Sequence, residues 1–405
     1  MAERALAHIE KIAWIKPIAG ADNIEKIGVL GWVLIARKGE FQVGDLACFF
    51  EIDSKLPEAE WSKFLESKKY KVKTMKLGKF EKESGGVISQ GLALPLSNVP
   101  ALEDKELNVG DDVTELIGVT YAVAEDNHRK AKVDPNAKYK RMAARHPKLA
   151  KKSWFRWLMK RQWGKDFLFF FLGKKKDKPL GFPTQFEFVH KTDEVRCENL
   201  PQEFLENKEP WIQTLKIDGT SGTYILERLK HKKYEYYVCS RNVRQLTPDQ
   251  ETFHEDNVYW GAEEKYHIRD FLQDMLEKHP DWKYVALQGE IVGENIQGNP
   301  HKLTGLNFFG FNLIDSESGR WNSADAREIC KNYGIEWVPI ISESYVLPDT
   351  MEELKLQADG PCDLPGSSGL REGFVYRGIK DPNMSFKNVS RQYLLQKVQR
   401  CDVNP

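Results

Sequence analysis

Leu215-Lys216-Ile217-Asp218-Gly219-Thr220-Ser221-Gly222 lies just past the middle of the 405-residue chain, and its reading decides the fold. An apolar run, Trp211-Ile-Gln-Thr-Leu, leads into Lys216, and a second, Gly222-Thr-Tyr-Ile-Leu-Glu-Arg-Leu229, leaves Gly219. Both have the length and β-branched or aromatic content of strands, so the tetrad Lys-x-Asp-Gly is the connection between them. Its bland reading is a charged strand end closed by a turn at Gly219. At average composition such a tetrad arises by chance in roughly one chain of ten at this length. The tetrad acquires meaning from the ordered motifs on its C-terminal side.

Working outward, Ser240-Arg241-Asn242 closes the next strand-like run. Gln288-Gly289-Glu290-Ile291-Val292-Gly293 comes directly after Val285-Ala286-Leu287. Then come the aromatic run Asn307-Phe308-Phe309-Gly310-Phe311-Asn312-Leu313-Ile314-Asp315, Glu372-Gly373-Phe374-Val375-Tyr376, and Ser385-Phe386-Lys387. Helical patterns (His267–His279, Ala324–Gly334) interrupt these strands, which gives an α+β fold dominated by antiparallel pairing.

In this order the series resembles motifs I, Ia, III, IIIa, IV and V of the covalent nucleotidyltransferases, which include DNA ligases, RNA ligases and mRNA-capping guanylyltransferases. The resemblance covers about residues 181–400 and implies an ATP-grasp-like ligase adenylation domain over 181–405. It assigns Lys216 as the nucleophile that carries AMP. A lysine amine has an ordinary pKa of about 10.4 and attacks phosphorus only when neighbouring cations, a metal or desolvation lower it. Lys387 matches the lysine that stabilises phosphate charge. The family often has Lys-x-Lys here, and this chain has Ser385 at the first position. Glu290 and Glu372 suit the ribose hydroxyls and a divalent metal, Mg or Mn, and both are candidate metal ligands. Asp218 and Gly219 belong to the nucleotide site with them. Arg241 matches the arginine that binds sugar and strand end, and Phe311, with Phe309 on the same strand face, is expected to sandwich the adenine.

Lys191-Thr-Asp-Glu-Val-Arg196, followed by Asn199-Leu200, resembles the entry segment of RNA ligases and makes Lys191 and Arg196 candidate nucleotide or RNA contacts. Near the start, short alternating runs (Ala5–Ile15, Lys26–Gly39, Asp45–Asp53) and Gly85–Leu96 are punctuated by Gly and Asp, the pattern of a small β-barrel over 1–123. An OB-like barrel is the reading preferred to any small barrel with a structural role. Gly31–Glu58 resembles the N-terminal OB module of Deinococcus-type RNA ligases. DNA ligases and capping enzymes mostly place theirs after motif V, whereas 18 residues follow Lys387 here. The expectation is therefore an ATP-dependent RNA ligase that joins 3′-hydroxyl and 5′-phosphate ends at nicks in a duplex. The rivals are a DNA ligase or capping-type enzyme, and a nucleic-acid-binding scaffold with an inactive pocket.

Between the two parts, residues 124–180 form a basic linker or insert. Residues 127–180 hold 18 Lys or Arg against three acidic residues, a charge of +15; since the whole chain is neutral, the remainder carries −15. Such a block points to a polyanion partner, with Lys138, Lys140, Arg141 and Arg145 as RNA-binding candidates. Pro147 is expected to divide two helical pieces; aromatics interleaved with cations could stack bases, but Trp154, Trp157 and Trp163 are expected rather to face the neighbouring domain. At 41% hydrophobic and 30% charged residues the composition is that of a folded globular chain. No run of 18 apolar residues and no secretory signal is present, and the six cysteines form no CxxC pair. A cytoplasmic monomer is expected, without membrane contact.

Overall fold

A computed structural model of the chain describes residues 5–81, 86–122, 139, 147–172, 180–206, 208–248 and 257–403. Its first long strand, Ala7–Pro17, explains the shape of the N-terminal part. Ala7–Lys11 pair with Leu46–Phe50, and Ile12–Pro17 pair with Ile24–Val29. A register shift between Ile12 and Trp14 falls where the strand changes partner. Such an irregularity bends a strand and sharpens its twist, which curls a small sheet toward a barrel. The resulting antiparallel order is Trp32–Arg37, Ile24–Val29, Ala7–Pro17, Leu46–Phe50, Leu92–Pro95. One side buries Ile12, Ile27, Trp32, Leu34 and Phe49; the other buries Ile9, Cys48, Phe50 and Val113.

The C-terminal part is built from two sheets. Trp211–Lys216 lies in a five-stranded sheet between Gly373–Gly378 and Ile340–Tyr345, with Ser385–Val389 and Val195–Arg196 beyond. Thr220–Arg228 lies in an eight-stranded sheet between Tyr234–Ser240 and Tyr284–Gly293, with Leu306–Asp315 next. Period-two alternation gives the eight-stranded sheet two buried faces. Tyr224, Leu226, Val285 and Leu287 share the main core with Trp211, Leu215 and Tyr376 of the smaller sheet, and with Phe271 and Met275 of helix Ile268–Lys278. Ile225, Ala286 and Ile314 are covered on the other face by Phe182, Phe186 and Val189.

The two parts are joined by specific bonds. The Gly31 N–H donates to the Glu198 carbonyl at 2.8 Å, and Lys355 Nζ donates to the Gly31 carbonyl at 2.9 Å. A Cβ at residue 31 would stand 2.9 Å from the Glu198 Cα, so only glycine allows this approach. Trp32 Nε1 donates to Asn199 Oδ1 at 2.6 Å, and Asn199 Nδ2 donates to Glu51.

In the basic segment the described helices are Pro147–Ala150, Ser153–Met159 and Gln162–Leu172. Pro147 opens the first, where its missing N–H costs nothing. The tryptophans do not face a neighbouring domain as expected: Trp154, Trp157 and Trp163 are all exposed, and Phe155 is the ring that is buried. Lys138, Lys140, Arg141 and Arg145 lie outside the described residues.

Glu51 also faces buried His8 at 3.6 Å, and Glu10 is 2.8 Å from His8 on its other ring nitrogen. Burial pushes the imidazole down, but the carboxylates of Glu10 and Glu51 outweigh it and raise its pKa from 6.5 to about 9. A raised histidine stabilises the fold fully below its ordinary pKa, and the contribution is lost as pH rises through about 9. It amounts to roughly 3 kcal/mol at most. His8→Gln should therefore lower the melting temperature most near pH 6, with the gap to wild type closing by about pH 9. A gap that is constant across this range would refute the pairing.

Candidate nucleotide site

The tetrad occupies the step between the sheets. Lys216 is the last residue of its strand and pairs with Gly373, beside Glu372. Its Nζ lies 2.8 Å from Glu372 Oε2. Two residues on, the Asp218 N–H donates to His301 Nε2 at 3.1 Å and the Gly219 N–H donates to Glu290 Oε1 at 3.0 Å. The chain then enters the second sheet, where Ser221 pairs with Glu290. Gly219 has no room for a side chain, since a Cβ would meet the Ile291 carbonyl oxygen at 2.3 Å. Glycine is required here by contact with the adjoining strand.

Asp218 is fixed from the C-terminal helix Arg391–Val403. Tyr393 donates its hydroxyl to Asp218 Oδ2 at 2.6 Å, and Lys397 Nζ lies 2.9 Å from the same oxygen. Sequence reading missed both residues, along with His301. A carboxylate two residues after Lys216 with no partner of its own was the signal available.

The entry segment crosses the face of the eight-stranded sheet. Gln288 Nε2 donates to the His190 carbonyl at 2.8 Å, and Thr192 Oγ1 lies 2.7 Å from Ser221 Oγ. Asp193 links two expected site residues: its Oδ1 is 2.6 Å from Lys387 Nζ and its Oδ2 is 2.6 Å from Arg241 Nη2. Asp193 was also missed, though it stands between the two residues singled out in that segment. Lys191 is exposed, whereas Arg196 is buried, with its centre 5.4 Å from the Trp32 ring and its Nη2 3.8 Å from Asp53. Among the described residues its Nε and Nη1 find no hydrogen-bond partner.

Two expectations change in detail. Phe309 pairs with Glu290 and shares its face, but the register jumps from Gly289–Gly310 to Gln288–Asn312. Phe311 is therefore the extra residue of a bulge, and simple alternation with Phe309 does not hold. Ser385, where a lysine is common in the resembled family, donates to Glu194. Arg320 and Arg377 face the same carboxylate at 3.8 and 3.5 Å.

The electrostatics are those of a charged lysine held by carboxylates. Burial pushes Lys216 down, but Glu372, Glu290 and Asp218 raise it above its ordinary value. The expected lowering by neighbouring cations is absent from this arrangement. Glu290 is raised from 4.5 to about 8, first by burial and then by the charges of Glu372 and Asp218, against the pull of Lys216. Among the described residues no three His, Cys, Asp or Glu side chains are grouped to hold a metal unaided. Glu290 and Glu372 beside Lys216 fit the other mode, in which one or two carboxylates share a cation with substrate phosphates.

This geometry has counterparts among known proteins. Residues 209–390 match the RNA ligase family model, and residues 6–96 match a model of an OB-fold domain. A mutant Naegleria gruberi RNA ligase solved with AMP and Mn is 29% identical, with a TM-score of 0.70 over 97% of this chain and 99% of that one. Another mutant of that ligase, with ATP and Mn, is 29% identical at TM-score 0.70 over 98% and 99% of the two chains. The same ligase with PPi gives 29% identity and 0.70 over 97% and 99%. No curated protein sequence matches the chain. Fold and site thus define a ligase built from an OB-fold domain and a two-sheet nucleotidyltransferase domain. Over residues 209–390 the chain is similar to the RNA ligases.

Because Glu290 keeps its proton in the fold to about pH 8 while the unfolded carboxyl releases it near 4.5, stability declines across that interval. Glu290→Gln removes this loss. With chelator present, the variant's melting temperature should gain on wild type by a few degrees between about pH 5 and pH 8. A difference independent of pH would overturn the assignment.

Proposed function

We propose that the chain is an ATP-dependent RNA ligase that joins 3′-hydroxyl and 5′-phosphate RNA ends, at nicks in a duplex, through AMP carried on Lys216. The observation that carries this reading is the position of Lys216 at the step between the sheets, 2.8 Å from Glu372 and close to Gly219, whose N–H is bound by Glu290. Support comes from the Naegleria gruberi ligase structures that hold ATP, AMP, PPi and Mn.

In the first step the Lys216 amine loses its proton and attacks the α-phosphorus of ATP. An N–P bond forms, the P–O bond to pyrophosphate breaks, and pyrophosphate leaves. An oxygen of the RNA 5′-phosphate then attacks the same phosphorus and releases Lys216. The 3′-hydroxyl finally attacks the 5′-phosphorus and expels AMP. Phosphate arriving beside Lys216 brings negative charge, so proton loss must be driven by Lys387 and by a divalent cation. Glu372 and Glu290 are the residues that would hold that cation, Mg or Mn, which supplies charge neutralisation at the phosphates. Glu290 and Asp218 also bind or orient the nucleotide with Gly219, and Phe309 and Phe311 hold the base. Arg196, with two donors unused, and Lys191 contact nucleotide or RNA. Arg241 takes the RNA end.

The same reading divides the chain into a module of residues 1–123, a basic insert of 124–180 and the adenylation domain of 181–405. The N-terminal OB module favours the Deinococcus-type branch. Lys138, Lys140, Arg141 and Arg145 add RNA phosphate contacts. The enzyme acts as a cytoplasmic monomer. Among the described residues no helix is long and apolar enough to cross a membrane, and four of the free cysteines are buried.

Incubation with α-labelled ATP and Mg or Mn should place on the wild-type protein a label that survives denaturation and alkali and is released by acid, as an N–P bond requires. The label should be absent from Lys216→Ala and reduced about 10²-fold or more in Glu372→Ala and Lys387→Ala, with little change in melting temperature. Labelling by GTP alone, or labelling that survives Lys216→Ala, would sink the proposal.

A further inference from the structure

Charge alone does not explain the basic segment. Helices Ser153–Met159 and Gln162–Leu172 pack through Phe155 and Leu168, both buried. Other rings face outward: Trp157 is 50% exposed, Trp163 57%, Phe167 52% and Phe170 80%. Trp163, Phe167 and Phe170 are spaced i, i+4, i+7, so they form one stripe along the second helix. Trp157 extends it from the first helix, edge to face with Trp163 at 5.8 Å. Exposed Arg156, Lys160 and Arg161 flank the rings, and the Arg161 guanidinium lies 3.9 Å from the centre of the Trp157 ring. A contiguous apolar stripe left in water marks a binding face.

The two ends of the segment lie close together. The chain departs after Tyr121 and returns at Leu180, and both points touch one turn. Arg241 lies 5.3 Å from the centre of the Tyr121 ring. Leu180 pairs with Arg244, and the Phe182 N–H donates to the Asn242 carbonyl at 3.0 Å. Through Asp193, Arg241 is tied in turn to Lys387. The chain thus leaves for the basic segment and returns from it beside Arg241.

We propose that the stripe of Trp157, Trp163, Phe167 and Phe170 stacks on unpaired bases of the RNA beyond the paired ends at the nick, while the adjacent cations neutralise phosphates. The inference rests on the RNA-ligase reading. Rings of this kind would also suit a lipid surface or another protein, but three observations favour RNA. The segment carries +15 in an otherwise acidic chain, which fits a polyanion. The described residues that flank it, Tyr121 and Leu180, lie at Arg241 and its turn. The segment's rings alternate with cations, and Arg161 lies over indole, so planar groups that stack on bases are presented together.

The test compares wild type with W163A/F170A and with the conservative W163F, by fluorescence anisotropy on a labelled single-stranded oligoribonucleotide and on a blunt RNA duplex. Loss of two stacking rings should weaken single-strand binding about tenfold or more, leave blunt-duplex binding nearly unchanged, and persist at high salt. W163F should retain binding, and circular dichroism melts should coincide. Unchanged single-strand affinity, or equal losses on both RNAs, overturns the proposal. So does unchanged RNA affinity with lost binding to phosphatidylserine vesicles or a changed sedimentation coefficient, which would assign the stripe to lipid or to a second copy. Labelling by ATP is run on the same samples. Its absence from wild type would count against the ligase reading, whatever the RNA result.

Discussion

One backbone passage constrains the whole site: the four residues Lys216–Gly219 carry the chain from one sheet to the other. Lys216 is still in register with Gly373, and Thr220 is already in register with Ile291. Ile217, Asp218 and Gly219 must therefore span the gap, with no freedom to slide along either strand. A one-residue slip would invert every buried face beyond it, including Tyr224 and Leu226 in the main core. Hydrophobic burial on both sides thus fixes the position of Lys216. The bonds from the Asp218 and Gly219 N–H groups then consume two donors that leave both ladders at this step. Chemistry is placed at the one point where both sheets determine the geometry.

That placement concentrates charge. Glu372 comes from the small sheet, Glu290 from the large one, and Asp218 from the step, and all three act on Lys216. Burial first, and then an excess of carboxylates over the one ammonium, push Glu290 up to about 8. Lys397 offsets part of the excess through Asp218, and its own pKa rises accordingly. On the opposite side, Lys387 and Arg241 share a single carboxylate, Asp193. The arrangement is acidic around Lys216 and basic around Asp193. Cation and nucleotide together would correct both imbalances, which links their binding physically.

The legibility of these features in sequence followed the range of the forces behind them. Tyr284–Gly293 and Leu306–Asp315 were readable to the residue, because both are long, apolar and bounded by turns. Ile340–Tyr345 was missed: it is an edge strand with three exposed residues, and its polar alternation looks like a loop. Lys216, Glu290, Glu372 and Lys387 were visible as ordered motifs, and the structure brings the first three together, with Lys387 held at Asp193. Tyr393 and Lys397 act from a helix about 175 residues away from Asp218, which no local pattern reveals. The bulge at Phe311 is likewise a pairing property, invisible until Gln288 and Asn312 are seen opposite each other. The tryptophans of the basic segment were misplaced for a related reason. Aromatic content argues for burial only when a partner surface exists, and Phe155 and Leu168 already fill the one between the helices.

The OB-fold part bears on the site through the same logic of register. Its contacts converge on a few residues of the entry segment: Gly31 bonds to Glu198, Trp32 and Glu51 bond to Asn199, and Asp53 and the Trp32 ring face Arg196. Those residues adjoin Val195–Arg196, a two-residue strand whose parallel partner is Phe386–Lys387. So short a strand has too few ladder bonds to hold itself on a sheet edge. The OB-fold part supplies the missing restraint, and with it the position of Asp193 against Lys387 and Arg241. Docking of the N-terminal part therefore braces the basic half of the site, even though among the described residues none of its side chains bonds to Lys216.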